Sequence, residues 1–165
     1  MNKAEFKKEV LPLSDKMYRL AHRLLFDSEA SRDCVQESLI KIWEARAKLE
    51  KVDNLPGYIL RIVRNTALDK LRKEKRIQEL DAEPPDYITD SNYEHEEGNS
   101  LILQITERLP DQQKMIFTLR DIEGFTYDEI ASSLDLSVNN VRVNLSIARK
   151  KIREEMTKIY NYGLR

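Results

Sequence analysis

Glycine and proline are scarce, four and five in 165 residues. That excludes a turn-rich all-β chain, which needs such residues at every hairpin. There is one cysteine, Cys34, so an internal disulfide is impossible and a reducing compartment fits. Apolar residues never run on for the roughly 20 positions of a membrane-spanning helix. The start, Met1-Asn2-Lys3-Ala4-Glu5, lacks the apolar core of a secretion signal. The expectation is a soluble, cytoplasmic protein. The chain has no glycine-rich phosphate loop, no cluster with metal-ligand spacing and no nucleophile–base set. No enzymatic activity, no metal and no cofactor are therefore expected, and His22 and His95 stand apart from any ligand-like neighbour.

What is there is charge, 35% of residues against 7% aromatic, the composition of charged helices around modest cores. The net charge of −1 hides a division. Residues 1–80 hold 18 Lys/Arg and 13 Asp/Glu, residues 81–100 hold seven acids and no base, and residues 101–165 hold 10 and 9. Two basic-leaning modules flank an acidic strip. Modules of roughly 60 to 80 residues are marginal alone and tend to lean on a partner. The chain thus reads as all-α, two small helical domains joined by a flexible acidic linker: residues 1–78, 79–98 and 99–165.

The stretch Leu109 to Arg153 ends in a helix-turn-helix pattern. Thr126-Tyr127-Asp128-Glu129-Ile130-Ala131 begins one helix, and Leu134-Asp135-Leu136 makes a tight corner in which Asp135 replaces the usual glycine. Ser137 then caps a second helix. Val141, Leu145, Ala148, Ile152 and Met156 repeat on one face of it. The other face carries Arg142, Ser146, Arg149, Lys150 and Arg153, with Asn139, Asn144 and Ile147 alongside. Ala131 is small where the two helices cross. A helix apolar on one side and basic on the other, set after a tight corner, suits the DNA major groove. Before it, Leu101, Ile102, Ile105 and Leu109 form one amphipathic helix. Pro110 opens the next, and Gly124 allows the turn before Phe125.

In the first module, Phe6 to Leu24 recur at helical spacing, interrupted at Pro12. Asp27 or Ser28 caps a second helix with Val35, Leu39, Ile42 and Trp43 apolar. Asn54-Leu55-Pro56 signals a third, from about Pro56 to Lys75, with Ile59, Ile62, Val63 and Thr66 or Ala67 buried. Asn65 and Arg72 lie at i−4 and i+3 from Asp69, so the three share a face.

Two motif sets then stand out. Asp33-x-x-Gln36-Glu37-x-x-x-x-x-Trp43 followed by Asn65-Thr66-Ala67-x-Asp69-x-x-Arg72 resembles the second conserved region of bacterial sigma factors. Leu109-Pro110-x-x-Gln113-Lys114-x-x-Phe117-x-Leu119-Arg120 followed by Tyr127-x-Glu129-Ile130-Ala131 resembles the fourth. The overall form is similar to the small extracytoplasmic-function branch of the sigma-70 family, which has these two regions and a linker. The match covers nearly the whole chain in order and spacing.

The resemblance implies a non-enzymatic subunit that binds core RNA polymerase, at its clamp and flap, and directs initiation at promoter DNA. It places Asp33, Gln36, Glu37, Ile40 and Trp43 against polymerase. It places Asn54, Tyr58, Arg61, Arg64, Asn65, Asp69 and Arg72 at the −10 element, where a flipped base is held in the loop Lys48 to Tyr58. Flipping needs a pocket that replaces lost stacking and pairing, which Tyr58 and Asn54 could supply, while Asp69 could accept from a cytosine amino group. It places Thr126, Tyr127, Ser137, Asn139, Arg142, Val143, Ser146, Ile147, Arg149 and Lys150 at the −35 element. Asn144 and Ile147 depart from the family, which commonly has basic residues there. Ile147 can touch thymine methyls but cannot donate to guanine. An anti-sigma factor is a further implied partner, and the chain is expected to be monomeric without partners. The acidic strip, with Pro84-Pro85, spans at most roughly 75 Å when extended. A free-standing helix-turn-helix regulator with a helical effector domain is the competing reading. It leaves the first motif set unexplained.

Overall fold

The computed structural model describes residues 1–80 and 100–163, and among them all regular structure is helical. Helix α1 (Lys3–Glu9) starts where Asn2 and Glu5 form a capping box, each side chain bonding the other's backbone N–H. Pro12 falls in a 3-10 turn, Leu11–Leu13, and so ends α1 as its ring dictates. Helix α2 (Ser14–Leu25) follows, then α3 (Ser28–Glu44), whose N-cap Asp27 accepts from the Ala30 N–H at 2.7 Å. A single turn, α4 (Arg46–Leu49), leads to the long α5 (Leu55–Leu80). Met17, Leu20 and Ala21 of α2, Cys34 and Ile42 of α3, and Ile59, Val63 and Ala67 of α5 meet in the core, all out of contact with solvent.

Two sequence expectations for α5 need correcting. The helix continues past Lys75 to Leu80. Arg76 to Leu80 contain neither Gly nor Pro, so nothing local stops it. Of the four expected core positions, Ile62 is only half-buried, whereas Leu60 is fully enclosed. The helix packs against α2, α3 and a helix of the second bundle, so its buried surface is wider than one stripe.

The second bundle comprises α6 (Ser100–Glu107), α7 (Asp111–Phe117), a π-helical turn (Thr118–Ile122), α8 (Tyr127–Leu134) and α9 (Val138–Gly163). Gly124 has φ +73°, a backbone that costs glycine nothing, and it brings Phe125 into the core. Thr126 and Glu129 cap α8 reciprocally. Asp135 ends α8 with φ 58°, ψ 46°, and the Leu136 N–H closes back on the Ala131 carbonyl at 2.9 Å. Aspartate is among the few non-glycine residues that tolerate this conformation, so the corner needs no glycine. On α9, Val141, Leu145, Ala148 and Ile152 are buried as their spacing predicts, and Met156 is half-buried.

The two bundles pack on each other. Helix α8 lies against α5, the most extensive helix pairing among the described residues. A Cβ on Gly57 would stand 2.6 Å from the Ser132 side chain, so a larger residue there would have to push α8 aside. Phe125 is wholly buried, with Lys16 Nζ and the Arg19 guanidinium of α2 over its ring at 5.4 and 5.7 Å. Around it, Lys16 donates to both oxygens of the buried Glu129 at 2.8 and 2.9 Å. Arg19 and Arg23 both reach the Glu123 carboxylate, at 3.1 and 2.7 Å. Marginal small bundles gain buried area this way. Most of the acidic linker expected at 79–98 lies outside the described residues, although its first two residues, 79 and 80, belong to α5.

Candidate nucleic-acid and partner interfaces

Helix α3 turns Ser31, Cys34, Val35, Ser38 and Ile42 inward, which leaves Asp33, Gln36, Glu37 and Ile40 together on the outside. Ile40 is 59% exposed, an apolar residue in an otherwise polar setting. Glu37 is held by Lys41 at 2.8 Å and by Lys70 of α5 at 3.1 Å. The hydrogen bond from Lys41 above all, opposed by burial and reinforced by the hydrogen bond from Lys70, holds its carboxyl below the usual glutamate range. Trp43, three residues on from Ile40 and seven from Gln36, lies at the edge of this face and is half-buried. Its ring meets Phe6 edge-on at 5.1 Å and carries the Arg46 guanidinium at 4.4 Å, so much of the indole is spent inside the chain.

At the start of α5, Asn54 is the N-cap: its Oδ1 accepts from the Gly57 N–H at 3.0 Å. Tyr58 lies in the first turn of α5, not in a loop, because the helix already begins at Leu55. The stretch from Lys48 that was expected to be a loop is half helical, with α4 reaching Leu49. Further along, Asn65, Asp69 and Arg72 are exposed on one face, and Arg72 donates to Asp69 at 3.2 Å. Arg64 is half-buried, while Lys73, Lys75 and Arg76 are open to solvent. Arg61 pairs with Asp135 across the bundle boundary at 3.4 Å. A cleft of about 420 Å³ is lined by Asn54, Tyr58 and Arg61 of the first bundle and Asp128, Ser132 and Asp135 of the second, with the Arg61–Asp135 pair bridging it.

On the second bundle, Ser137 caps α9 by accepting from Asn140 N–H at 3.0 Å, and Thr126 caps α8, so both hydroxyls have structural work. Asn139, Arg142, Val143, Ser146, Ile147, Arg149 and Lys150 are exposed along α9. Val143 and Ile147, 50% and 40% exposed, give this face an apolar strip beside its charges. Asn144 is turned back on its own helix, donating to the Asn140 carbonyl and side chain at 3.0 and 2.7 Å. Arg142 lies over the Tyr127 ring at 5.3 Å. Arg149 forms a two-pronged pair with Asp121 at 2.6 and 2.8 Å, which raises the already high guanidinium pKa.

A basic, partly apolar helix after a left-handed corner is half of the pattern, and the exposed α3 and α5 faces are the other half. Family models for "Sigma-70 region 2" and "Sigma-70, region 4" match residues 10–77 and 100–152. The chain belongs to the sigma-70 family. It is 30% identical over 141 residues to the RNA polymerase sigma factor SigV of Bacillus subtilis, spanning 86% of this chain and 84% of that one. It is also 30% identical over 153 residues to the ECF RNA polymerase sigma factor SigE of Mycolicibacterium smegmatis, spanning 88% of this chain but 59% of that longer one. Among solved structures, the fold is shared with the sigma factor RpoE of Bartonella quintana in complex with the anti-sigma factor NepR. The TM-score is 0.65 and the identity 22%, over 93% of this chain and 97% of that one. CnrH in complex with the cytosolic domain of CnrY is similar at TM-score 0.63 and 18% identity, over 95% and 90% of the two chains. These relatives place the chain in the ECF branch of the sigma factors, the subunits that direct polymerase to promoters.

For this sigma factor, sequence reasoning missed the residues that join and brace the modules. Lys16, Arg19, Arg23 and Glu123 carried no motif signal, being ordinary charges until the fold brings them together. Arg120 was part of a motif but had no assigned role. Asp121 had no signal at all. No described helix is long and apolar enough to cross a membrane.

Proposed function

We propose that this chain binds core RNA polymerase, contacts its clamp and flap, and positions it at promoters by reading −10 and −35 elements. It does so without catalysing a reaction itself. The reading divides the chain into a −10 module at 1–78, a linker at 79–98 and a −35 module at 99–165. One observation supports it most. Most of the polar and charged site residues on α3, α5 and α9 are left at the surface by the fold, while Thr66 and Ala67 of the motifs fill the core. Polar and charged side chains held at fixed spacing on rigid helices, yet not consumed by a core, are what a binding surface requires.

Each group has a task suited to its chemistry. Asp33, Gln36, Glu37 and Ile40 offer an apolar centre with a carboxylate rim to a basic helical surface of polymerase. Asp69 can accept from an exocyclic amino group, while Tyr58 can stack on an unpaired base. Arg64, Lys73, Lys75 and Arg76 meet phosphates and give affinity without sequence. Arg142, Ser146 and Ile147 face base edges in the major groove, with Lys150 on the backbone. In the compact arrangement, Tyr58 and Arg61 look across a cleft at α8, so promoter reading requires the bundles to part. The work takes place in the cytoplasm, with polymerase. A protein inhibitor of the anti-sigma kind is the expected antagonist, in keeping with the complexes in which the two similar structures were solved.

Run-off transcription with purified core enzyme tests this. Promoter-directed transcripts from genomic fragments are expected with the chain present and absent without it; none on any fragment refutes the reading. Asp69→Ala should then blur discrimination at one −10 base while polymerase binding persists.

A further inference from the structure

Two of the basic residues on α9 are held in place by residues outside it. Arg142 and Arg149 lie seven residues apart on the same face, roughly 10 Å along the axis. Left free, each long side chain would have to be ordered when DNA arrives, and that ordering weakens binding. Neither is left free. The Arg142 guanidinium sits over the Tyr127 ring at 5.3 Å, and Arg120 sits over the same ring at 4.6 Å. Arg120 is anchored in turn, its Nη1 donating to the Phe125 carbonyl at 2.8 Å. Arg149 is gripped by both oxygens of Asp121.

Arg120 and Asp121 come from the π-helical turn Thr118–Ile122. A π turn inserts a residue into a helix and re-aims the side chains that follow, and such turns are frequent at functional sites. Three guanidinium groups and one carboxylate thus gather about one aromatic ring. Among the described residues, neither Arg120 nor Arg142 has a carboxylate at ion-pair distance, whereas Arg149 does. The locus keeps positive charge in reserve on a face turned to solvent.

Building on the reading of α9 as the promoter-facing helix, we propose that Asp121 and the Arg120–Tyr127 stack are positioning residues for −35 recognition. They pre-orient Arg149 and Arg142 so that both guanidinium groups meet DNA in fixed directions. Asp121 does this by a two-point grip, which fixes the plane of the guanidinium as well as its place. Tyr127 does it through its ring, which holds the Arg142 cation by its face. The ring face serves Arg142, while the phenolic oxygen lies beside Arg149 and adds to the stronger hold of Asp121.

The test uses full-length protein with core polymerase on a template library having a fixed −10 element and a randomised −35 segment. Transcribed templates are sequenced to give a base-preference profile. Asp121→Asn and Tyr127→Leu are expected to flatten that profile, lowering discrimination roughly three- to tenfold. Tyr127→Phe, which keeps the ring under Arg142 and leaves Asp121 on Arg149, should stay much closer to the parental profile than Tyr127→Leu. Asp121→Asn is a surface change, and its melting curve should overlay the parent, which separates positioning from folding. Parental profiles in both Asp121→Asn and Tyr127→Leu overturn the inference. So does a Tyr127→Phe profile as flat as that of Tyr127→Leu. If the unaltered protein selects no −35 sequence at all, the promoter reading fails and the inference falls with it.

Discussion

Glu123 closes on two arginines at once: Arg23 Nε donates to its Oε1 at 2.8 Å and Arg19 Nη1 to its Oε2 at 3.1 Å, joining the bundles across about 100 residues of sequence. Arg19 also donates to the Glu123 backbone carbonyl at 2.8 Å. Because the carboxylate is about nine-tenths buried, its partners are screened less than surface pairs are.

Reversing this charge should open the molecule. Glu123→Arg places a third guanidinium beside Arg19 and Arg23. Small-angle scattering should then report a larger radius of gyration. Combining it with Arg19→Glu and Arg23→Glu should restore compactness. A radius unchanged by Glu123→Arg would show that the ion pairs do not hold the bundles together. Glu123→Ala, which strands two charges without adding one, should lower stability by about 1–3 kcal/mol in denaturant titration.

Gly57 offers a steric counterpart. Gly57→Ala puts a methyl 2.6 Å from Ser132 Cβ and Oγ, well inside van der Waals contact. Asn54 Nδ2 is equally near, but it is the end of a side chain and can turn away. Gly57→Ala alone should cost roughly 1–3 kcal/mol, as overpacking does. Ser132→Gly in the same chain should recover most of it, a coupling that a double-mutant cycle measures directly.

Trp43 and Ile40 should separate folding from docking. Trp43→Ala removes the edge contact with Phe6 and the seat of Arg46. Since the indole is only half-buried, the loss should be about 2–3 kcal/mol, at or below the low end for core aromatics. Ile40→Lys alters a side chain that is 59% exposed, so its melting curve should match the parent. A pull-down with core polymerase should nonetheless fall sharply for Ile40→Lys. Equal retention with the parent would remove this face from the polymerase interface.

Glu37 gives a pH dependence of known sign. Its folded pKa is lowered, chiefly by the Lys41 hydrogen bond. The stabilisation is therefore fully present above the ordinary glutamate pKa, near 4.5, and is lost as pH falls through the lower folded value. The side chain is 41% exposed, so solvent screening leaves a few tenths of a kcal/mol. Glu37→Gln should be slightly less stable than the parent at pH 7 and indistinguishable from it near pH 2, by chemical denaturation at each pH.

Local features were legible in the sequence because their causes are local. The buried stripe of α9 follows from a 3.6-residue period, and Asp135 fills the corner because an aspartate tolerates the left-handed backbone. Asp27 and Ser137 announce their helices by capping them. The bundle contact was not legible. Lys16 and Glu129 are 113 residues apart, and although Glu129 falls in a motif, nothing local pairs it with Lys16. The brace on α9 was hidden for a related reason. Asp121 matters only because a π turn aims it at Arg149, and a π turn leaves no periodicity to detect. The loop that the family resemblance implies over Lys48 to Tyr58 closes early here, because Asn54 caps α5 and the helix begins at Leu55.

Cys34 is wholly enclosed between α3 and α5, its thiol donating to the Val63 carbonyl at 3.6 Å, and burial pushes its pKa up. A thiol both enclosed and reluctant to ionise reacts with maleimides or disulfide reagents only when the first bundle comes apart. The protein thereby carries its own clock for unfolding. Labelling rates at Cys34 count excursions of that bundle one molecule at a time, with no engineered probe. Fluorophores can also be attached at introduced surface cysteines under native conditions without removing the natural one.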